Sequence, residues 1–119
     1  MRRYGSLIIL FSIILLSVNS CAPVKRPIDS SSGFSKHLGR LEESIRQEDW
    51  EAAAERLENT KKTWERIKPI LQLDIDHDYI NDMENNFVRL KAYIETEEKP
   101  DALAIVLLLQ KSWEDIGSM

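Results

Sequence analysis

The feature that most constrains this chain is the spacing of Ile80, Met83, Phe87, Leu90 and Ile94. Steps of three and four residues put these apolar side chains on one face of a helix and leave the other faces polar. A strand would alternate at every second residue instead. A seam of this kind must be covered by another apolar surface. The simplest cover is a second helix with a matching seam.

Three more stretches supply one. Phe34, Leu38, Leu41 and Ile45 repeat at helical spacing. Trp50, Ala53, Ala54, Leu57, Trp64, Ile67 and Leu71 mark a longer face, with Lys61 in the same stripe. There the lysine stem is expected to be buried and its amine to reach water. Ala102, Val106, Leu109, Trp113 and Ile116 form a fourth seam, and Ile105, Leu107 and Leu108 widen it. A helix apolar nearly all round is central in its bundle or covered by a partner.

Local signals place the joints. Gln47-Glu48-Asp49 reads as a tight link, with Asp49 as N-cap of the helix that starts at Trp50. Ser32 or Ser35 is expected to cap the first helix, and Asp76 or Asp78 the third. Pro69 is expected to kink or end the second helix near Lys68, since it has no N–H to donate. Pro100 fits the first position of the last helix. Short links imply antiparallel neighbours. The four glycines and four prolines are too few for a many-turned β sandwich or barrel. The expectation is an all-α fold, a small antiparallel up-down bundle of three to four helices over residues 34–119.

The start of the chain differs. Met1-Arg2-Arg3-Tyr4 is a short positive stretch, followed by the apolar run "LIILFSIILL" from Leu7 to Leu16. This is the layout of a secretory signal. The run is short for a spanning helix, which needs roughly 17–25 residues. Val18-Asn19-Ser20-Cys21 resembles the box that ends bacterial lipoprotein signals. That resemblance implies a diacylglycerol on the Cys21 thiol, cleavage just before it, and a capped sulfur that cannot serve as a nucleophile. It divides the chain into a signal peptide over 1–20, a flexible tether over 21–33 and the bundle. Residues 22–33, "APVKRPIDSSSG", read as the tether from their prolines and serines, with a reach of roughly 20 Å. Two or three acyl chains hold a soluble domain on a bilayer far better than one.

Without its first twenty residues the chain carries 14 basic and 20 acidic side chains, a net charge of −6. An acidic body repels phosphate backbones, so nucleic acid is not expected as a partner.

The run "DWEAAAERLENTKKTWERIKPILQLDIDHDYINDMENNFVRLKAYIETEEKPDA" resembles a family of short uncharacterised proteins of Gram-positive bacteria. Trp50 and Trp64, Asp76-His77 with Ile80, Arg89-Leu90, Tyr93-Ile94 and the acidic stretch before the last helix carry the resemblance. It covers roughly residues 36–116. Asp78-Tyr79 departs from the pattern, which more often has a carboxylate directly before the isoleucine. The resemblance implies an N-terminal membrane segment and an all-helical extracytoplasmic domain. It implies no activity.

Candidate chemistry is thin. Asp74, Asp76, His77, Asp78 and Asp82 crowd one stretch, and such side chains can bind a divalent ion. An EF-hand loop would need a glycine where Tyr79 stands and a glutamate where Asn85 stands. Zinc would need more ligands than His37 and His77 supply. Helix capping is the plainer role for these acids. No serine outside the signal and tether sits in a glycine-rich elbow. Trp50, Trp64, Phe87 and Trp113 are expected as core residues. The chain is therefore expected to be a lipid-anchored bundle on the outer face of the cytoplasmic membrane, with no enzymatic activity and no cofactor beyond the lipid on Cys21. It would work through a membrane-protein partner or by self-association through its last helix. The alternative is a small ligand- or metal-binding protein that uses Asp74, Asp76, His77 and Asp78.

Overall fold

The computed structural model describes residues 25–116. Within them the chain forms α1 (Lys25–Ser32), α2 (Phe34–Arg46), α3 (Trp50–Leu71), α4 (His77–Glu95) and α5 (Lys99–Ile116). Every regular element among the described residues is helical, so the fold is all-α. Helices α2 to α5 follow one another up and down, each packed on the next, and α5 returns to pack on α2. The four seams meet inside this ring. All five residues of the α4 seam are buried, and so are Phe34, Leu38, Leu41 and Ile45 on α2.

Two links share one design. After α2, the Glu48 N–H donates to the Ile45 carbonyl and the Asp49 N–H to the Ser44 carbonyl, both at 3.0 Å. After α4, the Glu97 N–H donates to Ile94 at 3.2 Å and the Glu98 N–H to Tyr93 at 2.9 Å. These are Schellman turns, which satisfy the orphan carbonyls of a helix end. They require a left-handed residue, and here it is a glutamate each time, with φ of 57° at Glu48 and 56° at Glu97. Asp49 does double duty: it closes the first turn and its carboxylate accepts the Ala52 N–H at 3.1 Å, as expected of the N-cap of α3.

Several expectations are corrected. Residues 25–32 of the expected tether are helix α1, whose Ile28 is buried in the core. Pro27 lies in its first turn, where a missing N–H costs nothing. Gly33, left-handed at φ 68°, turns the chain into α2. Ser32 Oγ does accept the Phe34 N–H at 3.3 Å, while Ser35 is itself held by Asp29. Asp76 stands at the N-cap position of α4 without a side-chain cap bond. Pro69 does not end α3, which runs on to Leu71, and Pro100 is the second residue of α5. Ala54 is exposed, while Lys61 is half-buried with its amine out beside Glu58, as expected. The buried face of α3 uses Thr60 and Thr63 as well. Their hydroxyls donate to the Arg56 and Asn59 carbonyls at 2.7 and 3.1 Å, which leaves the methyl groups to pack. On α5, Ile105 is buried but Leu107 and Leu108 stay 42% and 49% exposed. Among the described residues no helix is long and apolar enough to cross a membrane. Residues 1–24, with the expected signal and Cys21, lie outside the described residues.

Candidate functional site

The end of the bundle where α2 begins is also where α3 ends, α4 begins and α5 ends. An aromatic chain crosses the bundle there. Trp113 of α5 meets Phe34 of α2 edge-on, ring centroids 4.7 Å apart. Phe34 lies 5.8 Å from Trp64 of α3, and Trp64 lies 6.2 Å from Phe87 of α4. One ring from each long helix thus fastens this level, each contact worth about 0.5–1.5 kcal/mol beyond its buried area. Trp64, Phe87 and Trp113 are core residues, as the sequence suggested, whereas Trp50 sits half-buried at the other end.

Asp29 of α1 binds across to α2. Its carboxylate accepts the Ser35 N–H at 2.9 Å and the Ser35 hydroxyl at 2.7 Å. The Ser35 oxygen in turn accepts the Trp113 indole N–H at 3.0 Å. Asp29 therefore acts as a cap supplied from the previous helix, and the chain Asp29–Ser35–Trp113 ties α1, α2 and α5 together. No local pattern in the sequence marks such a cap.

The residues proposed for ion binding do not assemble. Asp74, Asp76, His77 and Asp78 are all exposed along the α3–α4 turn. Among the described residues no group of three potential ligands lies close enough to hold a metal ion. The acids of this turn repel one another into water, and the helix start draws Asp78 into its first turn.

A cleft between α3 and α4 is lined by Lys61, Trp64, Lys68, Glu84, Phe87 and Val88 and does not reach His77. Lys68 spans its rim, 2.6 Å from Glu84 and 3.2 Å from Glu65. Hydrogen bonds to Glu84 first and Glu65 second hold the Lys68 ammonium above the usual lysine range, against a smaller loss from burial. The Trp64 indole N–H is buried and has no hydrogen-bond partner among the described residues. Such a donor costs about 1–3 kcal/mol when left unpaired.

A second, open groove runs between α2 and α3, lined by His37, Glu58, Asn59, Lys62, Thr63 and Arg66 among others. Glu58 is taken by Lys61 at 3.7 Å and Glu65 by Lys68. Lys62 and Arg66 have no carboxylate partner among the described residues; Arg66 reaches only the Thr63 hydroxyl, at 3.3 Å. Lys62, Arg66 and Ile70 recur every four residues, on one side of α3. Sequence reasoning passed over this face, although its spacing was visible.

No curated protein and no solved structure matches the chain. A family model does: residues 25–119 match a domain of unknown function, DUF4363, whose span takes in α1 as well as the four long helices, and the chain belongs to that family.

Proposed function

We propose that this chain is a lipid-anchored, extracytoplasmic bundle without catalytic activity, serving as an interaction or structural module on the outer face of a bacterial cytoplasmic membrane. The observation that carries the reading is the start of the sequence: a basic stretch, a short apolar run and the box Val18-Asn19-Ser20-Cys21. The fold supports it. A ring of four helices around a filled apolar core, with α1 packed onto its start, suits a domain held from its N-terminus. Leu107 and Leu108 on α5 offer an apolar contact for a membrane-protein partner or a second copy.

Intact mass and detergent partitioning of the protein from its native host test this directly, wild type beside Cys21→Ala. The expected result is an acylated chain beginning at Cys21, lost in the variant. An unmodified full-length mass in the wild type sinks the lipoprotein reading.

A second reading rests on the unpartnered Trp64 N–H beside the α3–α4 cleft. The N–H is covered, so a small ligand with an acceptor oxygen would satisfy it by opening the cleft further. Indole N–H resonances, followed while candidate carboxylates and amides are added, check this reading. A Trp64 signal that no addition moves removes it.

A further inference from the structure

We infer that Lys62, Arg66 and Ile70 of α3, with His37 of α2 and Leu73 of the following turn, form a face that lies on an anionic phospholipid surface. The inference rests on the anchored reading above and adds to it an orientation and a lipid preference. Three observations converge.

The first is position. α1 leads into α2 through Gly33 and packs on both α2 and α3, so the chain enters the bundle at the end where α3 finishes. Phe34 is level with Trp64, and α3 continues for seven residues beyond it, about 10 Å. The α3–α4 turn therefore projects past the start of α2, at the end of the bundle where α1 joins it.

The second is the pair of apolar side chains at that end. Leu73 is 87% exposed and Ile70 50% exposed. Inside the bundle the same helix hides Ile67 and Leu71. Neither belongs to the buried core, and half of Ile70 and most of Leu73 stand open among the described residues.

The third is charge. In a chain with a net charge of −6 beyond its first twenty residues, Lys62 and Arg66 are exposed cations with no acid partner among the described residues, two turns and one turn before Ile70 respectively. Their neighbours Lys61 and Lys68 are already neutralised by Glu58, Glu65 and Glu84. Apolar side chains that enter the headgroup boundary, backed by cations that meet lipid phosphates, are the chemistry of an interfacial contact. Asp74, Asp76 and Asp78 follow Leu73 and are repelled by the same surface. The contact is therefore tilted: the α3 side touches lipid and the acidic turn stays toward water.

The test uses the protein from its native host, with the N-terminus and lipid it carries there, in vesicles of phosphatidylcholine alone or mixed equally with phosphatidylglycerol. A trace of phospholipid carries a photoreactive diazirine near its glycerol. After illumination, lipid adducts are mapped by mass spectrometry. The expected result is adducts within residues 62–73 that need phosphatidylglycerol. They should fall about tenfold or more in the double variant Lys62→Glu, Arg66→Glu, because each basic group near an anionic surface multiplies contact about fivefold. They should fall likewise in Ile70→Ser, Leu73→Ser, which leaves the charges in place, and rise in Asp74→Asn, Asp76→Asn. Circular dichroism confirms that each variant is folded. Adducts confined to the acylated start of the mature chain, at Cys21 and the residues just after it, overturn this inference and leave the anchored reading standing. Adducts at 62–73 on a chain that carries no acyl group at Cys21 do the reverse. Adducts indifferent to the charge reversal also overturn it, and failure to float with either vesicle removes both.

Discussion

Glu48 and Glu97 hold the left-handed positions of two Schellman turns. Glycine should serve both better. A residue with a Cβ in this conformation costs about 1–2 kcal/mol through contact with its own carbonyl. Glycine removes that cost but gives back roughly 0.5–1 kcal/mol through the greater freedom of the unfolded chain. The net gain is about 0.5–1 kcal/mol per site. Glu48 also loses its 3.6 Å contact with Lys99, where both side chains are more than one-third exposed. That contact is worth a few tenths of a kcal/mol at most. Glu97 takes part in no ion pair among the described residues, so Glu97→Gly should gain more than Glu48→Gly. Together they should raise stability by about 1–2 kcal/mol, which for a domain of this size is a rise in Tm of roughly 5–10 °C. The assay is thermal unfolding by circular dichroism, with wild type and variants side by side in one mild detergent. Glu97→Ala is the control: it removes the carboxylate and keeps the Cβ, so it should not gain. Should both glycine variants melt at or below wild type, the backbone argument is wrong.

Gly33→Ala tests the same chemistry with the opposite sign. No atom lies within 4 Å of a Cβ built there, so the change should come from the left-handed backbone at φ 68° alone, a net loss of about 0.5–1 kcal/mol once the stiffer unfolded chain is set against it, read as a lower Tm. Asp29→Ala should cost about 1–2 kcal/mol by uncapping Ser35, and should speed hydrogen exchange in α1 and the first turn of α2 before the rest of the bundle. The Gln110 amide 2.8 Å from Glu42 is the main cause, with Arg46 second, that holds the Glu42 carboxyl below its usual range against the pull of burial. A lowered folded pKa means stability present above the ordinary glutamate range and lost as pH falls through the folded value. Gln110→Leu should therefore flatten the acid limb of a stability–pH curve. Lys68, raised by Glu84 and then Glu65, works the other way: its contribution is full below the ordinary lysine range and lost as pH rises through the folded value. Glu84→Gln should weaken that alkaline dependence, measured as Tm between neutral and strongly basic pH.

Periodicity was a good guide wherever burial alone decides structure. The α4 seam, the α2 seam and the Asp49 cap can all be read directly, because each depends on spacing within one helix. Thr60 and Thr63 could not be read, since a hydroxyl that bonds its own helix carbonyl turns a polar residue into a packing methyl. The left-handed glutamates could not either: nothing in "QED" or "TEE" separates them from a turn without strain. Helix α1 was hidden by prolines and serines that suit a linker, and it is secured by tertiary contacts, Ile28 in the core and Asp29 on Ser35. The alternative ion site does not assemble among the described residues, for a related reason. Acids clustered in sequence face apart once a helix starts among them. The face at Lys62, Arg66 and Ile70 was visible as spacing, but its meaning depends on which lysines find an acid partner, and only the packing of α3 against α4 settles that.

The two ends of the bundle are built for different work. At the end far from α1, both links are three residues long, closed by Schellman turns and joined by Glu48 and Lys99. At the near end the α3–α4 link is longer, carries Leu73 outward, and lies beyond the aromatic chain that braces all four helices. This separation makes stability and surface contact experimentally independent. Glu97→Gly changes the far end and should raise Tm while leaving lipid adducts at residues 62–73 as they were. Lys62→Glu with Arg66→Glu changes the near surface, and should remove the adducts while leaving Tm within about 0.5 kcal/mol of wild type in equivalent stability, as exposed sites do. If adducts instead follow Tm across both variants, the face reports unfolding rather than docking, and the lipid contact has to be given up.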